Sequence, residues 1–366
     1  MRASDFDFDL PPELIAQVPP PRREDARLLA LSRSAGTVSH HGIADLADLL
    51  RPGDLLVVND TRVLAARIFG RRATGGKVEA LLLEPSPAHG DGVWSAIVRA
   101  GGTLRVGERI EVGVASGDDP LGGGRDRGGD EGGALEIVAL LGSGRFAVRG
   151  VGEALPALME HAGKLPLPPY IRRETVDPRD ALDRERYQTI FAEQPGAIAA
   201  PTAGLHLTRD LVARLAERDI SVARVTLHVG VGTFLPIRTD DLDEHAMHEE
   251  RFHVSAETAD AVRAARSEGR RVVAVGTTTV RALEASSAIS SDGLPAEGSA
   301  RTDLFIRPGH AFRAVDALLT NFHLPRSTLL CLVSALAGRD QVLAAYREAV
   351  AERYRFFSYG DAMLIA

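Results

Sequence analysis

The sequence predicts an α/β protein: a large α/β domain with a mostly parallel sheet, plus an inserted small all-β barrel domain. Three observations predict it. From residue 151 onward, apolar runs of strand length alternate with stretches of helical period. Between residues 68 and 150 there are only short strand-like runs separated by Gly-rich turns. The buried run "DLLVVN" (54–59) precedes that stretch and reads as one more strand of the later sheet. The α/β domain is therefore expected over 1–67 and 151–366, with the β domain over 68–150.

The elements follow in order. "PPPRREDARLLAL" is an extended, basic entry segment. In the β part, "KVEALLLEP", "VWSAIVRA", "RIEVGVAS", "ALEIVALL" and "RFAVRG" read as strands. The acidic, Gly-rich stretch within 117–133 is low-complexity and reads as a mobile loop. In the second part "VGEALPALMEHAG" and "RERYQTIFA" read as helices, and 197–200 as a strand. "TRDLVARLAERD" is an amphipathic helix capped by Thr208. "SVARVTLHV" alternates as a strand. "SAETADAVRAARSEG" is a helix capped by Ser255 and ended by Gly269. "RRVVAVG" is a buried strand that runs straight into the helix "TTTVRALEAS". "DALLTNFH" is strand-like. "STLLCLVSALAG", capped by Ser327, and "DQVLAAYREAVAERY" are helices.

Composition bounds the function. At 366 residues the chain is long for one domain and comfortable for two. Its hydrophobic fraction of 45% suits large cores. A net charge of -7 excludes a histone-like basic binder, though not a local basic face. The single cysteine, Cys331, excludes an internal disulfide and any Cys-rich metal motif; it reads as a small core residue. The start "MRASDFDFDLPPEL" is acidic and lacks the apolar core of a signal peptide. No run has the length to cross a bilayer. A soluble cytoplasmic protein is expected.

Three stretches of the α/β part suit a ligand, because open α/β sheets bind ligands beyond the carboxyl ends of their strands. "AIAAPTAGLH" brings Thr202, Ala203 and Gly204 to such an end. "TLHVGVGTFLP" brings Gly230, Gly232 and Thr233. "VVAVGTTTVRALE" brings Gly276, Thr277 and Thr278 to a helix N-terminus, where free amides and hydroxyls suit a carboxylate, phosphate or ribose. None matches the dinucleotide fingerprint or the P-loop. Singly, each also reads as a cap or a tight turn; together they point to a pocket.

His206 and His228 sit at strand-to-loop junctions and carry two readings, a satisfied structural imidazole or a proton-transfer group. "DEHAMHEERF" holds His245, His248 and Glu250, but not with the spacing of the helical zinc motif, so no metal is expected. His323 reads as closing a turn before a helix. Paired basic residues, among them Arg71 and Arg72 with Lys77, form a candidate nucleic-acid path. Aromatics such as Tyr170, Phe234, Phe357 and Tyr359 suit base stacking. From the residues alone the reaction stays open.

The blocks "LPPELIAQVP", "DLLVVNDTRVLAARIFGR", "GKLPLPPYI", "RERYQTIFA", "PGAIAAPTAGLHLT", "TLHVGVGTFLPI", "HAMHEERF", "VVAVGTTTVRALE", "ALLTNFHLPRSTLLCLVSA" and "YRFFSYGDAMLI" run in one order from end to end. In them the chain resembles the S-adenosylmethionine:tRNA ribosyltransferase-isomerase family of queuosine biosynthesis; the loop at 117–133 is the main departure. The resemblance implies an α/β fold with an inserted β-barrel. It implies that S-adenosylmethionine is a co-substrate, with no true cofactor, and gives up its ribosyl carbons. They pass to the 7-aminomethyl-7-deazaguanine at the wobble position of tRNA, giving epoxyqueuosine-tRNA, adenine and methionine.

That chemistry needs a base for the C5′ proton beside the sulfonium and a donor for the departing adenine. On this resemblance His206 or His228 moves protons. Asp60 and Arg62 hold ribose hydroxyls or the base edge, and Arg281 pairs with the methionine carboxylate. The small residues around Gly204 let backbone approach the ligand closely. Arg71, Arg72 and Lys77 grip the anticodon stem-loop, and a single chain suffices. Other classes stay distinguishable: a methyltransferase would transfer a methyl group, an RNA-binding module would not release adenine, and a metallohydrolase would carry metal.

Overall fold

The strand Leu55–Asn59 is buried at every position, and its side chains divide between two cores. Leu55 and Val57 join one apolar cluster, Leu56 and Val58 the other. This is the period of two in a strand covered on both faces, and it explains the unbroken apolar run. The computed structural model describes residues 1–113, 133–174, 177–230, 232, 237 and 239–366. The expected loop at 117–133, apart from Gly133, lies outside the described residues, as does Phe234.

Two units emerge. The first comprises Met1–Arg62, Pro169–Ile171 and Arg186–Ala366. Its nine-stranded sheet has the order Gly298–Thr302, Glu250–Val254, Ser221–Leu227, Leu55–Asn59, Val272–Val275, Ala317–Asn321, Ala362–Ile365, Arg27–Leu31, Val38–Gly42. The four strands from Ser221–Leu227 to Ala317–Asn321 are parallel, with Leu56 level with Val222 on one side and Val273 on the other. Outside them only Ala362–Ile365 and Arg27–Leu31 pair in parallel. The other four pairings are antiparallel. The sheet is mixed, and "mostly parallel" describes its centre alone. Glu250–Val254 alternates buried and exposed residues, the mark of a strand with one wet face.

Val262, Leu283, Leu330 and Val342, from the helices Ala256–Ser267, Thr277–Ile289, Thr328–Ala337 and Arg339–Ala351, pack into the cluster that holds Val57. Leu46 and Leu211, from Leu46–Leu49 and Arg209–Ala216, pack into the cluster that holds Val58. Each such side chain contributes about 1.5–3 kcal/mol by leaving water. The three expected caps form: Thr208, Ser255 and Ser327 accept the amides of Leu211, Thr258 and Leu330 at 3.1–3.2 Å. Cys331 is a buried member of the first cluster. Two expectations fail. The helix expected over 184–192 stops at Arg186, and Tyr187 is fully buried. The strand expected at 197–200 instead spans Gln194–Ala197.

The second unit comprises Val63–Pro168 and Arg172–Glu185. Its sheet runs Gly163–Lys164, Arg67–Arg72, Lys77–Pro85, Trp94–Ala100, Arg145–Val151, Ala134–Gly142, Arg109–Val112, and Arg67–Arg72 pairs again with the last. Gly70 permits that return: a Cβ there would lie 2.5 Å from the Glu111 carbonyl oxygen. The unit reaches beyond the 68–150 boundary. The helix Leu155–Ala162 belongs to it, because Leu155, Leu158, Met159 and Ala162 complete its apolar core with Ile68, Val98 and Ile137. Among the described residues no single helix is long and apolar enough to cross a membrane.

Candidate active site

The carboxyl ends of the central strands border a cleft of about 820 Å³, its open mouth included, within the first unit. Gly276, Thr277 and Thr278 form one wall at the start of the helix Thr277–Ile289. Gly276 has φ +88°, a conformation that favours glycine, and so turns the chain from strand to helix in one residue. Thr202 and Ala203 lie on the same cleft, and Asn321 and His323 continue it past the strand Ala317–Asn321. Tyr170 and Phe357 line it too; their rings stack at 4.3 Å and Tyr170 Oη bonds Ser358 Oγ at 2.6 Å. Phe357 has φ +72°, and its carbonyl accepts from Asn321 Nδ2 at 3.0 Å.

Asn59, at the tip of the central strand, holds this region together. Its Nδ2 donates to the Leu227 carbonyl at 2.9 Å and Thr278 Oγ1 at 3.1 Å, and its Oδ1 accepts the amides of Thr61 and Leu227, both at 3.1 Å. One buried amide thus ties two strand ends to a helix start. Nothing in the sequence marks it out, because an Asn at a strand end resembles any turn residue.

The expected binding residues divide. Thr202, Ala203, Gly276, Thr277 and Thr278 line the cleft; Gly204, Gly230, Gly232 and Arg281 do not. Thr233 lies outside the described residues. A Cβ on Gly204 would meet Thr189 at 3.0 Å, and one on Gly232 would meet the His248 ring at 2.5 Å, so both serve packing. Arg281 is buried and ion-paired with Glu250, and its Nε donates to the Leu304 carbonyl at 3.1 Å. Its charge is answered inside the protein, whereas a carboxylate of the ligand was expected there.

The four expected catalytic residues lie off the cleft lining. His206 Nε2 accepts from Asn321 Nδ2 at 3.0 Å; the amide is oriented by its second bond to the Phe357 carbonyl. Burial, aided by Arg23 and Arg355, lowers the His206 pKa to about 4, so the ring is neutral and positions Asn321. His228 Nδ1 hydrogen-bonds Thr61 Oγ1 at 2.8 Å, and burial and Arg251 lower its pKa to about 4. Asp60 is buried; its Oδ1 accepts from Thr226 Oγ1 at 2.7 Å, and desolvation raises its pKa. Arg62 is exposed. The imidazole on the cleft is His323, expected only to close a turn. Its Nε2 hydrogen-bonds Thr320 Oγ1 at 2.8 Å, and burial lowers its pKa to about 3.

Glu250 is taken by Arg281, so the His245, His248 and Glu250 set does not assemble as a metal centre. No group of three candidate ligands occurs among the described residues. In the second unit Arg72 is ion-paired with Glu108 and donates to the carbonyls of Gly101 and Thr103. Arg71 donates to the Gly75 carbonyl at 3.2 Å, and Lys77 is exposed.

Residues 3–365 match the model of a family described as queuosine biosynthesis protein. The chain is 52% identical to the S-adenosylmethionine:tRNA ribosyltransferase-isomerase of Anaeromyxobacter sp. (strain Fw109-5), over 100% of this chain and 99% of the relative. It is 48% identical to the protein of that name from Geobacter sulfurreducens, over 100% of both. A crystal structure of S-adenosylmethionine tRNA ribosyltransferase from Thermotoga maritima is similar with a TM-score of 0.54 and 35% identity, covering 99% of this chain and 100% of that one.

Proposed function

The chain belongs to the queuosine biosynthesis protein family, and on that premise we propose that its cleft is where S-adenosylmethionine binds and reacts. The protein is an enzyme: it transfers the ribosyl moiety of S-adenosylmethionine to tRNA and isomerises it, with adenine and methionine leaving. The acceptor is the 7-aminomethyl-7-deazaguanine of the wobble position, and the product is epoxyqueuosine-tRNA.

The observation that carries the placement is the pairing of a helix start at 276–278 with an aromatic wall in one cleft. The Gly276 amide is spent on the Leu319 carbonyl, but the amides and hydroxyls of Thr277 and Thr278 suit the methionine carboxylate or ribose hydroxyls. Tyr170 and Phe357 suit adenine. A neutral imidazole with a depressed pKa is a hydrogen-bond donor toward developing charge rather than a strong base. His323 takes that role toward the departing adenine. His206 acts through Asn321. His228, bonded to Thr61 just past the central strand and neutral for the same reason, lies off the cleft lining and acts as a hydrogen-bonding group rather than as the base for C5′. The closed ring of strands in the second unit is a small barrel, and its Lys77 and Arg71 meet tRNA phosphates. The protein acts as a monomer in the cytoplasm, where both substrates belong.

The test is incubation with S-adenosylmethionine and tRNA bearing the aminomethyl-deazaguanine, followed by mass analysis of the nucleosides. A product of epoxyqueuosine mass with equimolar adenine is expected. A methyl-sized gain would identify a methyltransferase instead.

A further inference from the structure

Asn321 ends the strand Ala317–Asn321 and lines the cleft, yet its side chain is only half satisfied. Nδ2 is fully engaged, donating to His206 Nε2 and to the Phe357 carbonyl, both at 3.0 Å. These acceptors fix which end of the amide is nitrogen. The other end, Oδ1, is buried and has no hydrogen-bond partner among the described residues. Leaving a buried acceptor unmatched costs free energy that a donor from a ligand would recover.

Its surroundings say which donor. The Phe357 whose carbonyl holds Asn321 stacks on Tyr170, and both rings line the cleft. A flat heterocycle lying against that wall and carrying an exocyclic N–H meets both needs. The left-handed Phe357 backbone, an uncommon conformation for a bulky residue, keeps ring and carbonyl in these two roles at once. We infer that Asn321 Oδ1 accepts the 6-amino group of the adenine of S-adenosylmethionine and makes the site selective for 6-aminopurines, with His206 as the residue that orients it. The inference rests on the placement of S-adenosylmethionine in this cleft.

The test compares adenosine with purine riboside, which lacks only the 6-amino group, as competitors of S-adenosylmethionine. Adenosine should bind at least about tenfold more tightly, because purine riboside leaves Oδ1 unmatched. Asn321→Asp retains an acceptor oxygen and should keep the preference even if overall affinity falls; Asn321→Leu should erase it. Equal binding of the two nucleosides to the unaltered enzyme overturns the role of Asn321. Tyr170→Leu separates that failure from a failure of the placement. If it weakens both nucleosides, the cleft is the adenosine site; if it weakens neither, or if neither nucleoside competes, adenine lies elsewhere and both readings fall.

Discussion

Glu250 and Arg281 form an ion pair in which each side chain is only 3% exposed, and Glu250 Oε1 also accepts the Gly230 amide at 2.8 Å. The pair joins the strand Glu250–Val254, one in from the edge of the sheet, to the helix Thr277–Ile289 and, through Glu250, to the Gly230 amide. Two opposite charges balance there, and Arg281→Met takes a buried counter-charge away from Glu250 in a dry site. Arg281→Met is therefore expected to lower stability by about 3–5 kcal/mol. Adding Glu250→Leu should recover much of the loss, though the Gly230 amide then lacks its acceptor. Urea midpoints of the single and double variants measure it. A double variant no better than the single would show that the charges are not coupled.

Gly196 and His228 supply a second test. At Gly196, φ is +151°, and a Cβ would lie 2.7 Å from His228 Nδ1, the atom that bonds Thr61. Gly196→Ala should displace the ring and lower turnover and stability together. In a His228→Ala background the added methyl meets less obstruction, so the stability cost of Gly196→Ala should shrink. Equal costs in both backgrounds would mean that the backbone conformation, not the ring, demands glycine.

Acid should expose the neutrality of His206. Its folded pKa is about 4, below the unfolded value near 6.5. Between those values the unfolded chain binds a proton that the folded chain refuses. Stability therefore falls as pH drops from 6.5 toward 4, by up to about 1.4 kcal/mol per pH unit for this group. His206→Gln keeps an acceptor for Asn321 and removes the titration. Its stability deficit measured at pH 7 should narrow at pH 5. A deficit that does not change with pH would contradict a neutral buried ring.

The elements were legible wherever periodicity is strong. The strand Leu55–Asn59 and the capped helices after Thr208, Ser255 and Ser327 could be read directly. The antiparallel flank was not, since "EERFHV" alternates too weakly to stand out from a charged loop. The site was half legible. Gly276, Thr277 and Thr278 announce themselves as a helix start after a strand. Asn321 and His206 do not, because the bond between them spans 115 positions, as Asn59 spans 168 to reach Leu227. Arg281 looked available to a ligand because its helix is buried on all sides and shows no polar face from which a partner could be inferred.

On the second unit, two neighbouring cations should behave differently. Arg72 braces Glu108 and two carbonyls, so Arg72→Ala should destabilise the unit. Lys77 is exposed, so Lys77→Ala should leave stability within about 0.5 kcal/mol. If Lys77 meets a phosphate, that variant should weaken tRNA binding and reduce the salt slope by roughly one. An unchanged slope would remove Lys77 from the interface.

His323 distinguishes a donor from a base. A base of ordinary histidine pKa would make turnover climb between pH 5.5 and 7.5 as its proton leaves. Burial holds His323 near pKa 3, so it is already neutral across that range and should contribute no such rise. What it offers there is a neutral N–H. His323→Leu removes the donor and should lower turnover by roughly tenfold or more. His323→Gln restores a neutral donor on a side chain of similar reach and should regain part of it. If instead His323→Gln is as impaired as His323→Leu, and the unaltered enzyme shows an inflection near pH 6.5 that both variants lose, the ring is titrating in catalysis. The bound substrate must then raise its pKa by supplying negative charge, which the methionine carboxylate is the group to do.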